Sequence, residues 1–151
     1  MTFQQAVVQT TDLGAYAFCY GLRALGNDSG RVQVASRRSL VGSVALDNVL
    51  RARYPNDPRW DYGIGLKKSR RQSAVWIEVH PASTSEVSTV LQKLQWLKNW
   101  LKTRAPALEK LTQVRCYFWV AAGGVHIRQG SPQARRLQLA GLSLPRKRVS
   151  L

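Results

Sequence analysis

The stretch from Trp60 to Val79 restricts the fold more than any other part of the chain. It holds two alternating runs, WDYGIGL (60–66) and SAVWIEV (73–79), separated by the polar and basic KKSRRQ (67–72). Alternation at period two marks a strand, and two such runs joined by a short polar segment predict an antiparallel hairpin. Successive side chains of a strand point to opposite faces. Tyr62, Ile64 and Leu66 therefore go one way and Asp61, Gly63 and Gly65 the other, while Val75, Ile77 and Val79 stand opposite Trp76, Glu78 and His80. If both apolar sets cover one core, Tyr62 lies across from Ile77 and Ile64 from Val75, and Asp61 then faces Glu78. Opposed residues bring their Cβ atoms to roughly 4.5–5.5 Å. Two carboxylates that close repel unless a cation lies between them or one keeps a proton, and Mg²⁺ is a hard ion suited to oxygen ligands.

The elements around the hairpin give an α/β class. A capping residue at Asp12 and the stop at Gly26 and Asn27 predict a helix over 12–25, apolar nearly all round. RVQVAS (31–36) reads as a short strand, and LVGSVALDNVL (40–50) as either a strand followed by a helical turn or a short helix. Pro55, Asn56, Asp57 and Pro58 place a turn before Trp60. After the hairpin, Ser83 and Glu86 have capping-box spacing, and Val87, Val90, Leu91, Leu94, Leu97 and Leu101 form one helical stripe, so a long helix is expected over 84–104, ending before Pro106. QVRCYFWVAAG and VHIRQ read as two strands around Gly123-Gly124, and SPQARRLQLAGL as a helix ending at Gly141. The chain's 151 residues suit a single domain, expected over 1–144, with a loose basic tail over 145–151.

Lys and Arg total 23 against 8 acidic residues, a net charge of +15, and no acidic residue follows Glu109. A surplus of that size draws polyanions by steering and counterion release, so nucleic acid, DNA or RNA, is the expected partner. Candidate phosphate contacts are the densest cluster, Lys67, Lys68, Arg70 and Arg71, together with Arg135 and Arg136. No apolar run is long enough for a membrane span and no secretory signal opens the chain, so a cytoplasmic location away from membranes is expected. Cys19 and Cys116 lack metal-site spacing and read as buried thiols, and His126 has no partner at a recognised spacing.

Asp61, the hairpin and then Glu78-Val79-His80 resemble the motif of the PD-(D/E)XK, or restriction-endonuclease-like, nuclease superfamily. The resemblance spans roughly residues 12–120. It implies a mixed sheet flanked by helices, Mg²⁺ held by Asp61 and Glu78 with Asp47 as a candidate further acid, and phosphodiester hydrolysis by a metal-activated water. The chain departs from the motif at His80, which stands where the family has Lys. Lys67 lies about 20 Å along the strand from Asp61, out of reach, whereas Lys93 on the flank of the long helix can supply the missing cation, with Gln92 as a second candidate. Two plainer expectations stand beside this one. Glu78 and His80 could form the solvated face of an antiparallel strand, and Trp96 and Trp100 could be packing residues rather than stacking platforms for bases. At the level of function, the rivals are a non-catalytic nucleic-acid-binding module with a degraded site and an interaction protein that docks an acidic partner.

Overall fold

The two alternating runs pair as strands β4 (Tyr62–Lys68) and β5 (Arg71–Ala82) in the computed structural model, which describes residues 1–151. They are antiparallel with Tyr62 opposite Ile77 and Ile64 opposite Val75, as the apolar alternation requires. Pairing continues to Lys68 and Arg71, so most of the basic connection is strand and the reversal falls at Ser69-Arg70, with Ser69 at φ 56°.

Strand β1 (Cys19–Tyr20) pairs with β3 (Leu40–Ala45), and β3 pairs with β4, all antiparallel. The last strand of this sheet, β6 (Thr112–Val125), joins β5 in parallel, which gives a mixed sheet in the order β1-β3-β4-β5-β6. A parallel partner needs a crossover, and helix α3 (Val87–Arg104) supplies it, followed by the short α4 (Pro106–Leu111). Leu94, Leu97 and Leu101 of the predicted stripe are buried, and Leu91 is half-buried. Helix α1 (Phe3–Gln9) packs on the same side, and the single-turn helix α2 (Leu46–Leu50) follows β3 directly. Of the two readings of 40–50, strand then helical turn is the one found.

Both faces of the central strands are covered, which explains the glycines. A Cβ at Gly63 would collide with the Trp76 ring, and one at Gly65 with Phe3 of α1. On the other face two 3₁₀ turns joined by a kink at Gly26, together Arg23–Arg31, lie over β3 and β4; Ala24 donates its N–H to Ser43 Oγ (3.1 Å) and the Tyr62 hydroxyl donates to Asp28 (2.7 Å). Glu78 is fully buried, so a solvated strand face at that position is ruled out. Trp96 and Trp100 stack on each other, and Trp96 Nε1 donates to Asp57 (2.9 Å), pinning the 54–59 turn. They are packing residues.

Several elements differ from expectation, each for a local reason. No helix spans 12–25, because Gly14 and Gly21 take positive φ (71° and 58°) and divide the segment into a 3₁₀ turn and the two-residue β1. The first helix is α1 instead, started by a capping box between Thr2 and Gln5. The box expected at Ser83 and Glu86 does not form: Ser83 Oγ meets Ser85 Oγ, Glu86 turns back to His80, and a 3₁₀ turn precedes Val87. Gly123 and Gly124 lie within β6, which stays paired with β5 as far as Val125, so the first expected strand runs through them, and of VHIRQ only Val125 is strand. Of RVQVAS only β2 (Val32–Gln33) is strand. Helix α5 (Pro132–Leu139) ends as expected before Gly141, at φ 82°. Residues 145–151 are not a loose tail: β7 (Val149–Ser150) pairs in parallel with β2, and Val149 is buried.

Asp12 does not cap a helix. Its buried carboxylate accepts from the Tyr54 hydroxyl (2.6 Å), Trp100 Nε1 (3.1 Å) and Arg104 Nη2 (2.6 Å), joining the 12–14 turn, the 54–59 turn and α3. The Arg104 guanidinium holds this carboxyl well below the usual Asp range, against the upward push of burial. A lowered folded-state value means the stabilisation is fully present at neutral pH and is lost as pH falls below the ordinary Asp value. Asp12→Ala orphans the Tyr54 and Trp100 donors and is expected to lower stability by about 2–4 kcal/mol at pH 7 in urea unfolding. A loss under about 1 kcal/mol, the net worth of one ordinary hydrogen bond, would count against this assignment.

Candidate active site

At the end of the sheet where β4 begins and β5 approaches its close, Asp61 and Glu78 share one face and each uses one carboxylate oxygen to fix the other strand's backbone. The Asp61 N–H donates to Glu78 Oε1 (3.2 Å), and the Val79 N–H donates to Asp61 Oδ2 (2.9 Å). Their remaining oxygens converge on one atom, the Lys93 Nζ, which donates to Glu78 Oε2 and lies 3.7 Å from Asp61 Oδ1. Lys93 reaches them because it flanks the apolar stripe of α3, three residues after Val90 and four before Leu97.

His80 continues the same face. Its Nε2 lies 2.8 Å from Glu86 Oε2 and its Nδ1 3.5 Å from Glu78 Oε2, while its carbonyl accepts from Trp119 Nε1 (3.0 Å). Glu86 is a site residue that sequence reasoning assigned to a helix cap. Its nearness to His80 follows from the bend at Ser83, after which the 3₁₀ turn Thr84–Glu86 comes back beside the end of β5. Asp47 sits beside the pair but is turned away: its carboxylate takes Arg51 Nη2 and Arg59 Nε, each at 3.0 Å, while its N–H donates to the Asp61 carbonyl (3.3 Å). A small cavity of about 110 Å³ between them is lined by Ala24, Ala45, Asp47, Asn48, Asp61 and Tyr62.

Electrostatics at the site follow from burial and from the charges that face one another. Burial, then the charge of Glu78, raise the Asp61 carboxyl to about 7, with Lys93 pulling it down. The hydrogen bond to Glu78 raises His80 above its ordinary value, opposed by burial and helped by Glu86. Five of the chain's eight acidic residues, Asp28, Asp47, Asp61, Glu78 and Glu86, gather at this end of the sheet. In a chain of net charge +15 that is a concentration of scarce groups.

Asp61, Glu78, His80 and Lys93 are thus brought together from the residues singled out in the sequence. Gln92 projects from the exposed side of α3. Lys67, Lys68, Arg70 and Arg71 stand at the opposite end of the hairpin, roughly 20 Å from Asp61 at strand rise. There Lys68, Arg70 and Arg71 line an open cleft of about 600 Å³ with Ser69, Ser73 and Gln113. Arg136 on α5 reaches Ser88 Oγ of α3 (3.3 Å), two residues from Glu86, and Arg135 faces outward.

No group of three or more His, Cys, Asp and Glu side chains is arranged to hold a metal ion, and Asp47 is engaged by arginines. Mg²⁺ is commonly bound through one or two carboxylates with waters and substrate phosphates completing its shell, and Asp61 and Glu78 are the carboxylates that could hold one here in place of the Lys93 ammonium. The two oxygens that now share an ammonium are hard donors. No helix is long and apolar enough to cross a membrane. Comparisons with protein-family models, curated proteins and solved structures each find no match for this chain.

Proposed function

We propose that this protein binds nucleic acid and hydrolyses a phosphodiester bond in it, with Mg²⁺ held by Asp61 and Glu78, as a nuclease of restriction-endonuclease-like fold. The observation that carries the reading is the convergence of Asp61 Oδ1 and Glu78 Oε2 on one cation, the Lys93 ammonium from the following helix, in a strongly basic chain. The mixed sheet, the hairpin with both carboxylates and the long helix after it are consistent with that subtype.

Bound between the carboxylates, Mg²⁺ would supply Lewis-acid charge to a phosphoryl oxygen and make water a stronger nucleophile. The chain's own groups do the rest. Lys93 brings an ammonium to the site from α3, the charge that His80 does not carry permanently at the motif position, and it offsets the negative charge that develops on the phosphoryl group. Glu86 holds the His80 ring through Nε2 and Nδ1 faces Glu78, so both ring nitrogens meet carboxylates and the imidazole serves to orient Glu78. The basic surface retains the polyanion against a site that is itself locally acidic.

A second reading has a specific observation in its favour. Lys93 already satisfies both carboxylates and Asp47 does not join them, as in a binding module whose site has lost its metal. One assay separates the two. Single- and double-stranded DNA and RNA are incubated with the protein in Mg²⁺, Mn²⁺ or EDTA, and binding is measured in parallel over a salt series. Metal-dependent cleavage is the expected result. Salt-dependent binding without cleavage of any substrate would transfer the protein to the binding-module reading, and absence of both would overturn the nucleic-acid reading altogether.

A further inference from the structure

Helix α5 and the segment 142–146 enclose a groove along the outer edge of β6. Two adjoining cavities, of about 390 and 300 Å³, share Gln138, Leu142 and Ser143. Arg135 and Arg146 border the first, and Arg115 the second. All three side chains are exposed, and none takes part in any of the molecule's ion pairs. The chain has no acidic residue beyond Glu109 to neutralise them. The floor is of a different kind: Ala134, Leu142 and Leu144 are wholly or partly buried, and Tyr117 lies beneath the Lys98 ammonium, 5.2 Å from its ring centre.

The groove has a direction. Segment 142–146 runs parallel to β6, bridging Tyr117 at Leu142 and Val120 at Arg146. The Ala121 N–H donates to the Arg146 carbonyl (2.8 Å), and Ala121 is paired with His80. Arg146 is therefore level with the carboxylate site and two strand spacings from β5, about 10 Å. Arg115 lies at the far end, and Arg136 on the same helix as Arg135 touches α3 close to Glu86.

We infer that this groove holds one unpaired strand of nucleic acid and leads it to the Asp61–Glu78 site, an inference that rests on the nuclease reading. The combination of an arginine rim and an apolar, partly aromatic floor is what favours a single strand. A duplex turns its paired bases inward and offers mainly phosphates to a narrow groove, whereas a single strand offers phosphates to the rim and base faces to the floor. The hairpin-tip cleft, by contrast, is lined by no hydrophobic side chain.

The experiment measures anisotropy of a labelled oligothymidylate and of a labelled duplex in EDTA across a salt series, for the wild type, for Arg135→Gln/Arg146→Gln and for Arg70→Gln/Arg71→Gln, with folding checked by circular dichroism. Loss of two phosphate contacts to a single strand is expected to reduce the slope of log K against log salt by about 1.4 and affinity at ~0.1 M salt by about 25-fold. The hairpin-tip variant should keep the wild-type single-strand slope. The groove inference is overturned if the groove variant keeps wild-type affinity and slope, or if the wild type binds duplex and not the single strand; cleavage by the wild type would still stand in either case. A wild type that binds neither polymer removes the nuclease reading as well.

Discussion

Asp61→Asn and Glu78→Gln will each reduce metal-dependent cleavage by on the order of a thousandfold or more, given that loss of a single electrostatic contact in an active site already costs about 10²–10³. Both substitutions are close to isosteric. The Asn oxygen can still accept from the Val79 N–H and the Gln oxygen from the Asp61 N–H, so the strand ends stay joined. Binding in EDTA should be unchanged or tighter, because each variant removes a negative charge near the phosphates. Rates under single-turnover conditions, with binding measured on the same preparations, read the two effects separately. Cleavage that persists at wild-type rates in both variants would place the chemistry elsewhere or assign the activity to a contaminant. Binding lost together with cleavage would mean that the carboxylates support the fold rather than the reaction.

The carboxylate pair was legible in the sequence because period-two alternation leaves little freedom. Once Tyr62, Ile64, Val75 and Ile77 must share a face, the register follows, and with it the meeting of Asp61 and Glu78. Lys93 was legible for a similar reason, since a regular stripe from Val87 to Leu101 fixes which residues flank it. Burial of the opposite face was not. Gly63 and Gly65 carry no hydrophobic signal, yet they are where Trp76 and Phe3 pack against the strand, and a period-two pattern cannot show that an apparently blank face is covered. The segment 12–25 misled because apolar residues and an Asp start mimic a helix, while Gly14 and Gly21 impose positive φ that composition alone does not reveal.

The partners of Glu86 and Asp47 also lay outside the reach of local patterns. Glu86 sits at capping-box spacing from Ser83, and only the return of the chain after Pro81 gives it His80 instead. Asp47 meets Arg59 across a turn of irregular backbone held by the Trp96 indole, a contact with no periodic signature. Strands β1, β2 and β7 are two residues each, too short for alternation to register. The basic groove is likewise a tertiary product: its arginines come from β6, α5 and the segment after it, and the docking of 142–146 on β6 is what brings them together.

Lys93→Met tests the electrostatic core of the site without reference to any substrate. In the wild type, Asp61 is already raised to about 7 with the ammonium in place, chiefly by burial and by Glu78. The folded state therefore holds more protons than the unfolded state between pH ~4 and ~7, and stability falls as pH rises through that window. Methionine keeps most of the apolar stem but removes the cation, so the two buried carboxylates face each other uncompensated and the window extends to higher pH. At pH ~8 in EDTA the variant is expected to be less stable than the wild type by about 3–5 kcal/mol, the usual result of stripping one partner from a buried ionic group. The deficit should shrink as pH is lowered toward ~5, where one carboxyl can take up a proton and hydrogen-bond to the other. Adding Asp61→Asn to Lys93→Met should restore much of the loss, because the remaining Glu78 no longer faces a second charge, and the double-mutant cycle reads that coupling directly. Equal stability of wild type and Lys93→Met at pH ~8, or a deficit that does not change with pH, would show that Lys93 does not hold the pair together, and would undo the argument that a cation is required between them.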